Sequence, residues 1–178
     1  MMLNKALLEE QLATLPLFQY GFINSKELLF TERVRMICEN ECPRYNTTWA
    51  CPPAVGSVEE CKARCLSYPE FLMLSTVSEV NDISDIQETL ATRQQHEELT
   101  YEISRMIKDQ GCEIMVLSTE SCAQCERCAY PDAPCRKPEK MFPCVESHGI
   151  LVTDICEKYG MEFFNGNIVT WFSLIFIR

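Results

Sequence analysis

The chain has 178 residues, 47% hydrophobic and 24% charged. That composition fits a single domain over residues 1–178 with its own core, and excludes a disordered chain. The formal net charge is −10 and the pI about 4.7. An acidic surface repels phosphate backbones, so nucleic acid is not an expected partner.

The first residues, "MMLNKALLEEQLATL", carry one Lys and two Glu and no uninterrupted apolar region. They do not have the form of a signal peptide. Leu7, Leu8, Leu12 and Leu15 make a helical stripe from Asn4 to Leu15, and "PLFQYGFI" follows as a strand. Thr31 is placed to cap a short helix carrying Val34 and Ile37 to Cys38. Pro43, Asn46, Pro52, Pro53 and Gly56 then punctuate a loop. Ser57 and Glu60 form a capping box, which predicts a helix from Val58 to about Leu66.

"EFLMLSTV" is a nearly continuous apolar run and predicts a buried strand. Asp82 is the expected cap of the next helix, with Ile83, Ile86 and Leu90 on one face and Leu99, Ile103, Met106 and Ile107 on another. Its middle, "TRQQHEE", is polar all round, so the helix is either exposed there or broken, and His96 is expected to be solvated. Gly111 ends it. "EIMVLST" predicts a second buried strand. Strand, long helix and strand together imply a crossover and a parallel pair. Ile150 to Tyr159 predicts a last helix closed by Gly160. "MEFF", "NGN" and "IVTWFSLIFI" read as two strands around a turn. That final run is too short to span a bilayer as a helix. The expectation is therefore an α/β (α+β) chain, a mixed sheet with flanking helices, located in the cytoplasm, with no membrane partner.

The twelve cysteines carry the functional signal. Cytosolic thiols are kept reduced, so clustered ones point to metal rather than to disulfides. Cys122, Cys125, Cys128 and Cys135 have the spacing C-x2-C-x2-C-x6-C, in a downstream loop over 122–144. Thiolates two residues apart can turn inward on one loop, and iron–sulfur clusters use a closely similar run. Zinc also accepts four thiolates. Both readings stand, as does a set of reduced structural thiols. In an upstream loop over 38–65, Cys38, Cys42, Cys51, Cys61 and Cys65 offer five candidates for one site. Any four can surround a metal; Cys38, Cys42, Cys51 and Cys61 are the favoured set, and Cys65 reads equally well as core. A radical S-adenosylmethionine pattern, C-x3-C-x2-C, begins at Cys38 and fails at Tyr45. Cys112 and Cys156 are expected in the core, and Cys144 is an alternative fourth ligand for the downstream set.

Two further residues are candidates beside a cofactor. Arg136 follows Cys135 and can offset the charge of a tetrathiolate. His148 lies near the downstream cysteines, placed to ligate, to donate to a cluster sulfur, or to cap a helix. Glu146 is a candidate polar-site residue.

"VRMICENECPRYNTTWACPPAVGSVEEC" and "SCAQCERCAYPDAPCRKPEKMFPCVESHGILV" resemble the two motifs of an uncharacterised family of cysteine-rich prokaryotic proteins, described as predicted metal-binding. The resemblance implies ligands at Cys38, Cys42, Cys51 and Cys61, and at Cys122, Cys125, Cys128 and Cys135. It leaves Cys65, Cys112, Cys144 and Cys156 outside the pattern.

Two functions follow as expectations. One is a redox protein with two [4Fe-4S] clusters that transfers electrons to a redox protein partner. The other is a zinc-stabilised binding or accessory module without redox chemistry. A third, an accessory enzyme with an open iron site, has no residue arguing for it.

Overall fold

The computed structural model describes residues 3–164 and 166–178. Helix α1 (Lys5–Leu12) is capped by Asn4, whose side chain accepts from the Leu7 amide. It stops short of Leu15, and strand β1 (Gln19–Asn24) follows. Thr31 caps α2 (Glu32–Asn40) by accepting from the Arg33 amide. The capping box at Ser57 and Glu60 is complete and opens α3 (Val58–Leu66). Strand β2 (Glu70–Glu79), helix α4 (Ile86–Asp109), strand β3 (Ile114–Leu117), helix α5 (Val152–Tyr159) and strand β4 (Ile168–Ile177) complete the described elements.

The sheet order is β1-β2-β4-β3, and each of these ladders is antiparallel. The expected parallel pair is therefore not formed. Strands β2 and β3 do run the same way, but the C-terminal β4 is inserted between them. Its ten residues pair with β2 along their whole length.

Both sheet faces are covered, which explains the unbroken apolar runs Phe71–Leu74 of β2 and Leu174–Ile177 of β4. Leu72, Leu74, Ile175 and Ile177 pack against Leu8 and Leu12 of α1 and Ile103 and Ile107 of α4. Phe71, Met73, Phe172, Leu174 and Phe176 point the other way, onto Cys65, Tyr68, Val145, Ile150 and Ile155. Each such side chain contributes about 1.5–3 kcal/mol relative to exposure.

Three local expectations are corrected. Asp85, not Asp82, caps α4, by accepting from the Gln87 and Glu88 amides, so Ile83 lies outside the helix. "MEFF" forms no strand, and the first residue of the "NGN" turn lies outside the described residues.

The third concerns His96, which is 1% exposed rather than solvated. The polar middle of α4 is unbroken and covers a polar strip of the sheet. His96 Nδ1 lies 2.8 Å from Thr76 Oγ1, and Nε2 lies 2.8 Å from Ser173 Oγ. Ser173 Oγ also donates to Ser118 Oγ at 3.0 Å. Burial pushes the imidazole down to about 4, so it is neutral at physiological pH.

Candidate metal centres

The downstream cysteines sit on a loop that leaves the sheet at the end of β3 and is closed at its base. The Ser118 amide donates to the Pro143 carbonyl at 2.9 Å, and the Val145 amide donates to the Ser118 carbonyl at 3.0 Å. These bonds form a parallel bridge between Ser118 and Cys144. Within the loop, Ala133 N–H donates to the Ala129 carbonyl at 2.9 Å. Arg136 donates to the Arg127 carbonyl at 3.0 Å and Lys137 to the Gln124 carbonyl at 2.8 Å. The loop is thereby folded back on itself, and Cys122, Cys125, Cys128 and Cys135 line one narrow cleft of about 20 Å³. All four are half-buried unbridged thiols. Trp49, Arg136, Lys137 and Met141 complete the walls.

The upstream cysteines divide. Cys38 near the end of α2, Cys42 just beyond it and Cys51 line a cavity of about 420 Å³. Cys144 and Glu146 line the same cavity. Cys61 is not among its lining residues. Its sulfur, fully buried, accepts from Arg64 at 3.1 Å and Arg35 at 3.7 Å, and its thiol donates to the Val55 carbonyl at 3.4 Å. Cys65 packs in the core beneath α3, and Cys156 is buried in the same cluster. Cys112 is buried on the opposite face of the sheet.

Burial pushes the Cys38 thiol up to about 11, with further contributions from Cys42 and Glu146. Cys51 and Cys144 are raised first by burial. Thr48 then lowers Cys51 by a hydrogen bond and Cys42 raises it again, while Glu146 raises Cys144 further. These thiols hold their protons at neutral pH, so a metal taken up here would have to displace them. Glu146 stays solvent-accessible at the cavity. The protein crowded around it, and Glu120 nearby, hold its carboxyl above the usual range.

The two cysteine loops are stitched together. Arg44 Nε donates to Ser121 Oγ at 2.7 Å, and its Nη2 reaches the Cys122 carbonyl at 3.4 Å. Trp49 Nε1 donates to the Ala133 carbonyl at 3.0 Å. Tyr130 donates to Asn46 Oδ1 at 2.8 Å. Sequence reasoning did not single out Trp49, Arg44, Arg35 or Arg64. Only Trp49 carried a local signal, as an aromatic two residues before Cys51.

His148 is buried, its Nδ1 3.0 Å from Ser147 Oγ, and burial pushes its imidazole down to about 3. It does not line the cleft of the four downstream cysteines. With Arg64, Leu117, Pro134 and Cys135 it lines a third, largely apolar cavity of about 690 Å³. Arg136 is exposed on the rim of the cysteine cleft.

Among the described residues, no three His, Cys, Asp or Glu side chains converge as a ready cage for one ion. The cysteines share walls rather than a point. No helix of the described residues is long and apolar enough to cross a membrane. Comparison with curated proteins and with solved structures gives no match. A family model described as "Predicted metal-binding protein (DUF2284)", a domain of unknown function, matches residues 21–177. The chain belongs to this family.

Proposed function

We propose that this member of a metal-binding family carries two [4Fe-4S] clusters and works in electron transfer or as a redox accessory protein of the cytoplasm. The observation that carries the reading is the downstream loop. Four unbridged cysteines at a spacing closely similar to that of iron–sulfur proteins line one cleft. The donor set fits: it is all sulfur, half-buried, and rimmed by Arg136 and Lys137, whose charges offset those of thiolates. A cluster held there would supply one-electron transfer. The chain's own residues bind it, shield one side with Trp49, and hold the two cysteine loops side by side through Arg44 and Tyr130. That adjacency supports electron passage between two centres. The net charge of −10 suits steering toward a basic redox partner.

One observation favours a second reading for the downstream site. Its four thiols on one narrow cleft are also the donor set that tetrahedral zinc accepts. Metal and acid-labile sulfide analysis of protein purified without air separates the two. Brown protein with about eight irons and eight sulfides per chain supports two clusters. About four irons with about one zinc supports the second reading, and colourless protein with about two zincs contradicts the first.

A further inference from the structure

We propose that the fourth ligand of the upstream centre is Cys144, and that Cys61 is not a ligand. This rests on the reading that the upstream cysteines hold a metal, whichever metal that is. Cys38, Cys42, Cys51 and Cys144 line one cavity, reached from two segments of chain far apart in sequence. Cys144 is held for the task. Its backbone is paired with Ser118 at the end of β3, its sulfur accepts the Ser147 amide at 3.3 Å, and its carbonyl accepts Ser147 Oγ at 2.6 Å.

Position separates the two candidates. The cavity wall beside Cys144 carries the carboxylate of Glu146, which favours a cation. Cys61 lies outside that cavity, and its sulfur is already taken up as an acceptor from the guanidiniums of Arg35 and Arg64. Arg35 and Arg64 also have other partners that fix them there. Arg35 donates to the Gly56 carbonyl at 2.8 Å and the Ser147 carbonyl at 2.6 Å. Arg64 donates to the Val55 carbonyl. Cys61 thus serves as an acceptor for the buried Arg35 and the exposed Arg64, between α2, α3 and the turn at Ser147.

The assignment interleaves the two motifs. The segment that leaves the downstream loop supplies a ligand to the upstream centre, so metal there fastens Cys51 to Cys144 and closes the base of the downstream loop. In two-cluster ferredoxins, too, a cysteine adjoining one cluster's run ligates the other cluster.

Thiol footprinting on the metal-loaded wild-type chain tests this directly. Alkylation followed by mass spectrometry is compared before and after chelation. Cys144 is expected to be protected with Cys38, Cys42 and Cys51 and to become reactive with them, while the reactivity of Cys61 does not change. In parallel, Cys144→Ser is expected to lose about half the bound metal and Cys61→Ser to keep all of it. Unprotected Cys144 in loaded protein, or metal loss in Cys61→Ser equal to or greater than that in Cys144→Ser, overturns the assignment. The wild-type inventory separates this from the functional reading: zinc in place of iron defeats the cluster proposal and leaves the ligand test intact. A chain with no metal overturns both.

Discussion

The indole N–H of Trp49 donates to the carbonyl of Ala133 at 3.0 Å, across the boundary between the two cysteine loops. The same indole meets the Tyr130 ring edge to face, with centroids 4.9 Å apart. A residue of the upstream loop is therefore a wall of the downstream cleft.

Trp49→Ala removes that wall, a hydrogen bond and an aromatic pair, together about 1–3 kcal/mol. The expected result is a downstream centre that releases its metal to a chelator about tenfold or more faster, while the upstream centre is unchanged. Trp49→Phe, which keeps the ring contact, should fall between. Equal release rates for all three proteins contradict the role.

Cys125→Ala removes one sulfur from the downstream four, none of which lines the upstream cavity. It is expected to lose one centre and leave the other, halving the metal per chain. Loss of all metal in this variant shows that the two sites do not stand independently.

His96 sits under the polar strip of the sheet with both ring nitrogens engaged. Its folded value of about 4 lies below the usual 6.5, so the fold favours the neutral ring. The stability this contributes is fully present above about pH 6.5 and is lost as pH falls toward about 4, up to about 3 kcal/mol. NMR titration of the imidazole checks it: a ring that stays neutral at pH 5.5 agrees, and a midpoint near 6.5 does not.

Gly149 has φ +73°, and a Cβ there would meet Val58 Cγ1 at 3.0 Å and the Thr31 carbonyl oxygen at 3.2 Å. Its own carbonyl accepts the Thr31 amide at 2.7 Å, at the cap of α2. Gly149→Ala is expected to destabilise the chain by about 1–3 kcal/mol in urea unfolding. A change below about 0.5 kcal/mol contradicts that close approach.

Local chemistry was legible in the sequence wherever it was sufficient. Thr31 and the Ser57–Glu60 box cap their helices as their side-chain oxygens dictate. The run "IVTWFSLIFI" forms a strand buried on both faces. The downstream cysteines share a cleft because short spacings leave them little choice. What escaped is what depends on distant partners. His96 looks solvated beside its neighbours in sequence, yet Thr76 and Ser173 arrive from other strands to satisfy it. The insertion of β4 between β2 and β3 is a pairing preference that neither earlier strand encodes alone. Cys144 lies nine positions after Cys135, so proximity in sequence tied it to the downstream set. In the fold it lines the cavity of Cys38, Cys42 and Cys51 and not the downstream cleft.

The central claim is that cysteine sulfur alone holds metal in two separate centres. X-ray absorption at the K edge of whatever metal the anaerobic protein carries tests it most directly. The account predicts a first shell of about four sulfurs per metal, with metal–metal scattering wherever a cluster is present. A first shell dominated by nitrogen or oxygen contradicts it.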